Sequence, residues 1–397
     1  MRLRCRQSYY LLKSANRRIL LLCVWIAIGV VLFVASGGAS IVSGGDNGVR
    51  IRVSGPGVAP HLFFACCDHG MSEFQALFAD PAVIPDLQAI HAGLAVAVPD
   101  LSPQRAQIIR RLNAAGIPVI AWIQVPGSGG PYINSGDAPE AIAYVADFER
   151  WTAQSDLHWA GVGLDIEPDF TELARLKGHP GRIAGLILSR YFDYARVYRA
   201  RKAYTGLIRQ VQHNGYLVQT YQLPFIAAER RVHVTLLERL LGIVDVRGNQ
   251  EALMIYSSLA RGGGTGMIFR LGPDAQAIVI GVTEANPKAG PAGVPLNWTE
   301  FSRDLIVASH FTRTIGVYNL EGSVQQGFLA RLKTMDWSQS VLVPASSLQR
   351  ATQISRAIAT ALVIGSLLPV LLALFLLLIA ALVWRRRMYR RERKPSV

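Results

Sequence analysis

A (β/α)8 barrel with a transmembrane helix on either side is the fold class the sequence predicts. Three observations carry it. Eight short apolar runs alternate with helix-like stretches across the middle of the chain. A long uncharged run lies near each end, with a basic cluster on its outer side. Hydrophobic residues reach 51%, charged residues only 17%, and mean hydropathy is +0.26. That is too apolar for a disordered chain and too weakly charged for an ordinary soluble one.

The order is a basic tail (1–18), a span (19–36), a linker (37–57), the barrel (58–337), a second linker (338–356), a second span (357–384) and a second basic tail (385–397). Ile19–Ala35 holds 17 uncharged residues, just enough to cross a bilayer as a helix. Ala357–Trp384 holds 28, bounded by Arg356 and Arg385. Such a run spans with tilt, and Pro369 is tolerated inside a membrane helix. Lys and Arg clusters stay on the cytoplasmic side. Both termini are therefore expected in the cytoplasm and the barrel outside it, in an integral protein of the cell membrane. Small residues at Phe33–Ala39 offer a signal-peptidase site, but the long basic leader favours an uncleaved anchor.

Charge excludes one class of partner. Each tail carries +6, so the tails hold +12 of the formal +14. The remaining 366 residues carry 28 basic and 26 acidic side chains. No basic face is left for nucleic acid. The Arg- and Tyr-rich stretch Arg190–Arg209 reads as a solvated helix face, with contact to anionic headgroups or polymers as the other reading. Among four cysteines, only Cys66 and Cys67 fall in the outer domain. They read as two small buried residues whose side chains leave a strand on opposite faces, which excludes a disulfide scaffold. No CxxC or HExxH spacing occurs, so neither a metal nor another cofactor is expected.

The predicted strands are His61–Cys67, Gly93–Val98, Ile117–Val125, Gly161–Ile166, Leu217–Leu223, Ala252–Ser257, Ala277–Val282 and Thr314–Leu320. They are nearly continuous in apolar residues and rich in Val and Ile, as parallel strands buried on both faces are. Helical spacing recurs over Pro103–Ala115, Glu140–Gln154, Ile183–Asn214 and Trp298–Phe311. Gly116 and Gly215 stand where a helix gives way to a strand, the usual place of a glycine C-cap. A doubly wound open sheet is the alternative. The run GGGTG at 262–266 lacks GK[ST] and the dinucleotide spacing, and reads as a flexible loop.

In an eightfold barrel the site lies at the C-terminal ends of the strands. There the sequence places Asp68 on the first strand, Asp100 on the second, and Trp122 and Gln124 on the third. The fourth ends in Asp165-Ile166-Glu167-Pro168-Asp169. Later strands bring Tyr221 and Gln222, Tyr256, Glu284, and Tyr318 with Glu321. Asp100 and Asp169 also suit helix N-caps. Asp165 and Glu167 are two apart on a strand and share a face. Two carboxylates so close do not both ionise easily, so one pKa rises into the range of a general acid.

This constellation resembles barrel glycoside hydrolases. Ala160-Gly-Val-Gly-Leu-Asp-Ile-Glu167 resembles the DGxDxDxE pattern of the chitinase-like family 18, keeping Gly161, Asp165 and Glu167. Met254-x-Tyr256 and Gly316-Val-Tyr318 resemble its sixth and eighth strands. Ala160 and Gly163 replace two of its Asp residues, and Ser257 stands where another would follow the Tyr. Glu167-Pro168 and Thr283-Glu284 resemble instead the clan with catalytic glutamates on strands 4 and 7, though that clan usually has Asn where Ile166 stands. Lysozyme-like barrels of family 25 share Asp-x-Glu.

These resemblances agree on Glu167 as general acid/base, with Asp165 as its tuning partner; the clan resemblance implies Glu284 as nucleophile of a double displacement, whereas the family 18 resemblance implies the substrate's own acetamido group. Asp68, Trp122, Gln124, Tyr221, Gln222, Tyr256, Tyr318 and Glu321 would hold sugar. The expected substrate is a cell-envelope or exported polysaccharide. The rival is a non-catalytic barrel that binds a glycan or scaffolds its assembly.

Overall fold

The computed structural model describes residues 51–392 except 127–131, 170–171, 173–174, 176–178, 261–262 and 286–293. The first predicted span and basic tail lie outside the described residues.

A short strand β1 (Ile51–Ser54) precedes eight strands that close on themselves in chain order: β2 (His61–Cys66), β3 (Gly93–Val98), β4 (Val119–Ile123), β5 (Gly161–Ile166), β6 (Val218–Gln222), β7 (Gln250–Met254), β8 (Ala277–Gly281) and β9 (Thr314–Tyr318). Every neighbouring pair is parallel, and β2 against β9 shuts the barrel, with Phe63 opposite Gly316. The open-sheet alternative is thereby removed. Burial of both strand faces explains the continuous apolar runs. Residues 93–98 and 161–166 have no exposed position.

The interior is filled in layers, as in other barrels of this size. At the N-terminal end, Gln219 donates to Gln250 over 2.7 Å and Gln250 to Thr314 over 3.2 Å. Ala95, Ile120, Ala252 and Val279 fill the middle. Trp122, Tyr221, Tyr256 and Tyr318 rise toward the C-terminal end.

Local sequence sets the helix limits. Ser102 caps the helix Pro103–Ala114 by accepting from the Arg105 N–H, and Pro103 occupies its first turn. Gly116 and Gly215 take φ of 70° and 91°, a region that disfavours side chains, where the chain turns from helix to strand. The stretch predicted as one helix over 183–214 is two, Pro180–Tyr191 and Tyr194–His213. Asp193 interrupts it because its carboxylate accepts from the Arg196 N–H and starts the second helix.

Asn297 and Glu300 form a reciprocal capping box on the helix Trp298–Ser309. Asn297→Ala is expected to cost about 1 kcal/mol of stability, read as a lower denaturation midpoint at unchanged slope.

Two expectations are corrected. The stretches read as linkers are partly a ribbon: β1 pairs antiparallel with β10 (Ser340–Val343), Ile51 facing Val343. Four-residue strands whose partner lies far away in sequence leave little periodic signal. Secondly, Cys66 and Cys67 are bonded to each other. Cys67 lies past the strand at φ 77°, so its sulfur turns back toward Cys66 instead of alternating away. Both are fully buried, and a bridge between neighbours closes no loop.

Among the described residues, one helix is long and apolar enough to cross a membrane. It runs Ala345–Glu392 and contains the second predicted span.

Candidate active site

Asp165 sits one residue before the end of β5 and Glu167 one residue beyond it. Asp165 is buried at 3% exposure, and its Oδ1 has no hydrogen-bond partner. Burial, then the charge of Glu167, hold its pKa well above the usual carboxylate range. Burial alone pushes Glu167 up to about 7. Two acids so close in a poorly hydrated space resist being ionised together.

The strand end is pinned by a neighbouring loop. The Ile133 N–H donates to the Asp165 carbonyl over 2.8 Å, and the Glu167 N–H donates to the Ile133 carbonyl over 3.1 Å. That ladder brings Tyr132 into the site, where its ring stacks on Trp122 with centroids 6.4 Å apart. Burial raises the Tyr132 phenol, and Glu167, Asp165 and Asp68 add to the effect. Nothing in the sequence around Tyr132 marks it; a bridge to β5 places it there.

Aromatic rings complete the wall. Trp122 meets Tyr318 edge-on at 6.4 Å, and Tyr318 lies 5.7 Å from Tyr256. Burial raises the phenols of Tyr221 and Tyr256, with Asp165 contributing to both and Glu167 to Tyr256. The Tyr221 hydroxyl is buried without a partner. Tyr318 donates its hydroxyl to Asp68 Oδ2 over 2.9 Å, and Asp68 Oδ1 has no hydrogen bond but lies 3.9 Å from His69 Nε2.

A second acidic group gathers beyond the ends of β2, β8 and β9. Glu284 accepts from Asn319 Nδ2 over 2.6 Å, and His69 Nε2 lies 3.0 Å from the same oxygen. Glu321 Oε1 accepts the Cys67 N–H over 2.7 Å, while its Oε2 is buried and unpaired. Burial pushes Glu321 up to about 7. His69 is partly buried, which lowers its pKa, but the Glu284 bond and the charges of Asp68, Glu284 and Glu321 raise it overall. Asn319 is not among the expected site residues, and His69 reads in the sequence only as ending the first barrel strand beside Asp68. Their signal was position alone, one beside Asp68 and the other between Tyr318 and Glu321.

The predicted residues divide accordingly. Asp68, Trp122, Tyr221, Tyr256 and Tyr318 gather around Asp165 and Glu167. Glu284 and Glu321 belong to the second acidic group. Gln124 shares the inward face with Trp122, and its buried Nε2 has no partner. Gln222 is displaced from the site. It lies on the other face of β6 from Tyr221 and donates to the carbonyls of Val244 and Val246. An odd–even shift along a strand reverses the face, which the motif did not resolve. Asp100 is structural, since it accepts from Ser102 and pairs with the buried Arg105. Asp169 accepts the Glu172 N–H.

Replaced acids have physical counterparts. A side chain on Gly163 would begin 2.8 Å from the Tyr221 ring, so Tyr221 fills that space. Ser257 donates instead to the buried Asp304, which also accepts from Thr265.

No family model matches the chain, and no curated protein matches it. Among solved structures, it is similar to the glycoside hydrolase domain of PgaB (BpsB) from Bordetella bronchiseptica, with 12% identity and a TM-score of 0.44 over 70% of this chain and 99% of that one. A xylose isomerase domain protein from Planctomyces limnophilus gives 14% and 0.34 over 76% and 99%. ScGas2 in complex with compound 9 gives 14% and 0.35 over 78% and 65%. The fold assignment itself stands on the closed eight-stranded parallel sheet: this chain is a (β/α)8 barrel.

Proposed function

We propose that the chain is a membrane-anchored glycoside hydrolase whose barrel lies outside the cytoplasm and cuts a cell-envelope or exported polysaccharide. One observation carries this reading. A pair of carboxylates shares one buried strand end, one of them poised near pH 7, inside a wall of five aromatic rings. Glu167 protonates the leaving glycosidic oxygen. Asp165 keeps that proton on the pair by repelling a second negative charge. Burial of Asp165 and partial burial of Glu167 strengthen both effects, because little water screens the charges. Glu284 stands three strands away around the barrel, fixed by His69 and Asn319, and is the nucleophile of a double displacement. Trp122, Tyr132, Tyr256 and Tyr318 present faces and hydroxyls to sugar rings. Asp68, Gln124, Tyr221 and Glu321 offer to its hydroxyls polar atoms that have no hydrogen bond.

Anchoring rests on the uncharged runs, their basic flanks and the exposed apolar helix. Both termini are placed in the cytoplasm, and residues 58–337 are the catalytic unit. No nucleic acid, metal or organic cofactor enters this scheme.

The test is incubation of the full chain in detergent with a panel of bacterial and fungal polysaccharides, with new reducing ends as readout. Cutting of any member supports the reading. Binding without cutting of any member sinks it in favour of a glycan-binding barrel. The filled space at Gly163 and the serine at position 257 are what favour that second reading.

The pH profile follows from the same pair. An acid catalyst must carry its proton, so the rate should fall as pH rises through about 7. Stability should follow in the same sense. The folded state holds protons on Asp165 and Glu167 that the unfolded chain releases near its ordinary carboxylate pKa values. Stability is therefore greatest below those values and declines as pH climbs toward about 7. Thermal unfolding across pH 4 to 8 would show it, and flat behaviour would contradict the shared proton.

A further inference from the structure

We infer that the rim of the barrel beside the fourth and fifth strands rests on the lipid bilayer surface, so that the active-site mouth opens next to the membrane. The inference depends on the long helix being a membrane anchor, as proposed above.

The anchor helix does not hang from the barrel by a free tether. Its first turns pack on the barrel, where Ser347 accepts from the Gly266 N–H. Ile358, Leu362 and Leu368 then join Tyr191, Phe225, Ala228 and Leu236 in a separate apolar cluster. At Gly365 the helix touches Leu236 and receives the Tyr191 hydroxyl on its carbonyl. Residues 225–236 closely follow the C-terminal end of β6, and Tyr191 ends the helix Pro180–Tyr191 in the connection from β5 to β6. Both belong to the rim that carries Asp165 and Glu167. Beyond this contact, from Val370 to Trp384, the described side chains of the helix are exposed and apolar, such as Leu371, Leu374 and Phe375.

The surface beside that exit point has the chemistry of a membrane interface. On the helix Pro180–Tyr191, Ile183, Leu186 and Ile187 are only half-buried and Leu188 is exposed. The corner that follows exposes Phe192 (56%), and the start of the next helix exposes Tyr198 (70%) and Tyr194 (54%), whose ring carries the Arg239 guanidinium at 4.0 Å. Arg182, Arg199 and Lys202 are exposed among them. Aromatic rings and half-covered aliphatic side chains mixed with cations suit the headgroup layer, where rings insert and cations meet anionic lipid. A solvated face has no use for three exposed rings next to an apolar helix. Given the hydrolase reading, a mouth so placed is served by sugar chains carried on the membrane or leaving it.

The test uses the full chain with Cys5→Ser and Cys23→Ser, reconstituted in mixed vesicles of phosphatidylethanolamine and phosphatidylglycerol. Single nitroxide labels are placed by Leu188→Cys, Tyr198→Cys, Leu217→Cys and Leu371→Cys. Leu217 is exposed and precedes β6, at the opposite end of the barrel. Collision rates with oxygen and with a nickel chelate are measured at each. The expected result is a several-fold higher oxygen-to-nickel ratio at 188 and 198 than at 217, with 371 higher still. Labels at 188 and 198 as open to nickel as 217, with 371 in lipid, overturn the bilayer contact and leave the anchor standing. A label at 371 in water overturns both. Shielding of 217 as well overturns the orientation. Where activity is found, a glycan tethered to the vesicles by a lipid should be cut several-fold faster than the free glycan. Equal rates remove the inference about substrate.

Discussion

Glu167→Gln is expected to lower the rate of glycan cleavage by about 10²- to 10⁴-fold, the range of a lost general acid. Gln matches Glu in shape and keeps hydrogen-bonding capacity, but it has no proton to donate to the leaving oxygen. Because the wild-type group titrates near 7 inside a buried site, the loss should be largest in acid solution, where the native acid is protonated. The alkaline limb near pH 7 should vanish with it. Stability should hold or rise at neutral pH, since one of two mutually repelling buried acids becomes neutral. Reducing-end release across pH and a thermal melt measure all three. An unchanged rate with a retained alkaline limb would move the acid role elsewhere, with Glu321 next in line because burial also pushes it up to about 7.

Gly163→Asp is expected to destabilise the barrel by about 3–5 kcal/mol, although it restores an acid of the pattern the strand resembles. Its Cβ would lie 2.8 Å from the Tyr221 ring, so the ring must leave its place. The new carboxyl would also join Asp165 and Glu167 in a space that already resists two charges. Adding Tyr221→Ala removes the steric part and leaves the charge part. The double variant should therefore be less unstable than the sum of the two single changes, a coupling readable by thermal unfolding. Strict additivity would mean that the ring and the glycine do not share that space.

Much of this architecture is legible in the sequence. Strands buried on both faces cannot alternate, so runs such as GLAVAV and GVGLDI announce themselves and their limits match residues 93–98 and 161–166. Asp-x-Glu is equally visible, because a two-residue spacing on a strand has one geometric meaning. What escapes is whatever depends on a distant partner. Tyr132 enters the site only because Ile133 bridges to Ile166. His69 matters only because Glu284 lies across the barrel seam. Gln222 looked identical in kind to Gln124, yet a reversal of face sends it into the backbone of 244–246. The Cys66–Cys67 bridge follows from a single left-handed residue that no periodicity encodes.

The antiparallel ribbon of β1 and β10 has a consequence for how such a unit is assembled. Since Ile51 faces Val343, the chain leaves the barrel where it entered. A unit with coincident entry and exit behaves as a self-contained cassette. It can be grafted into a foreign loop, or its old ends can be joined by a tight turn and new ones opened at an exposed connection, without re-routing any strand. The ribbon thus marks where the barrel begins and ends along the chain.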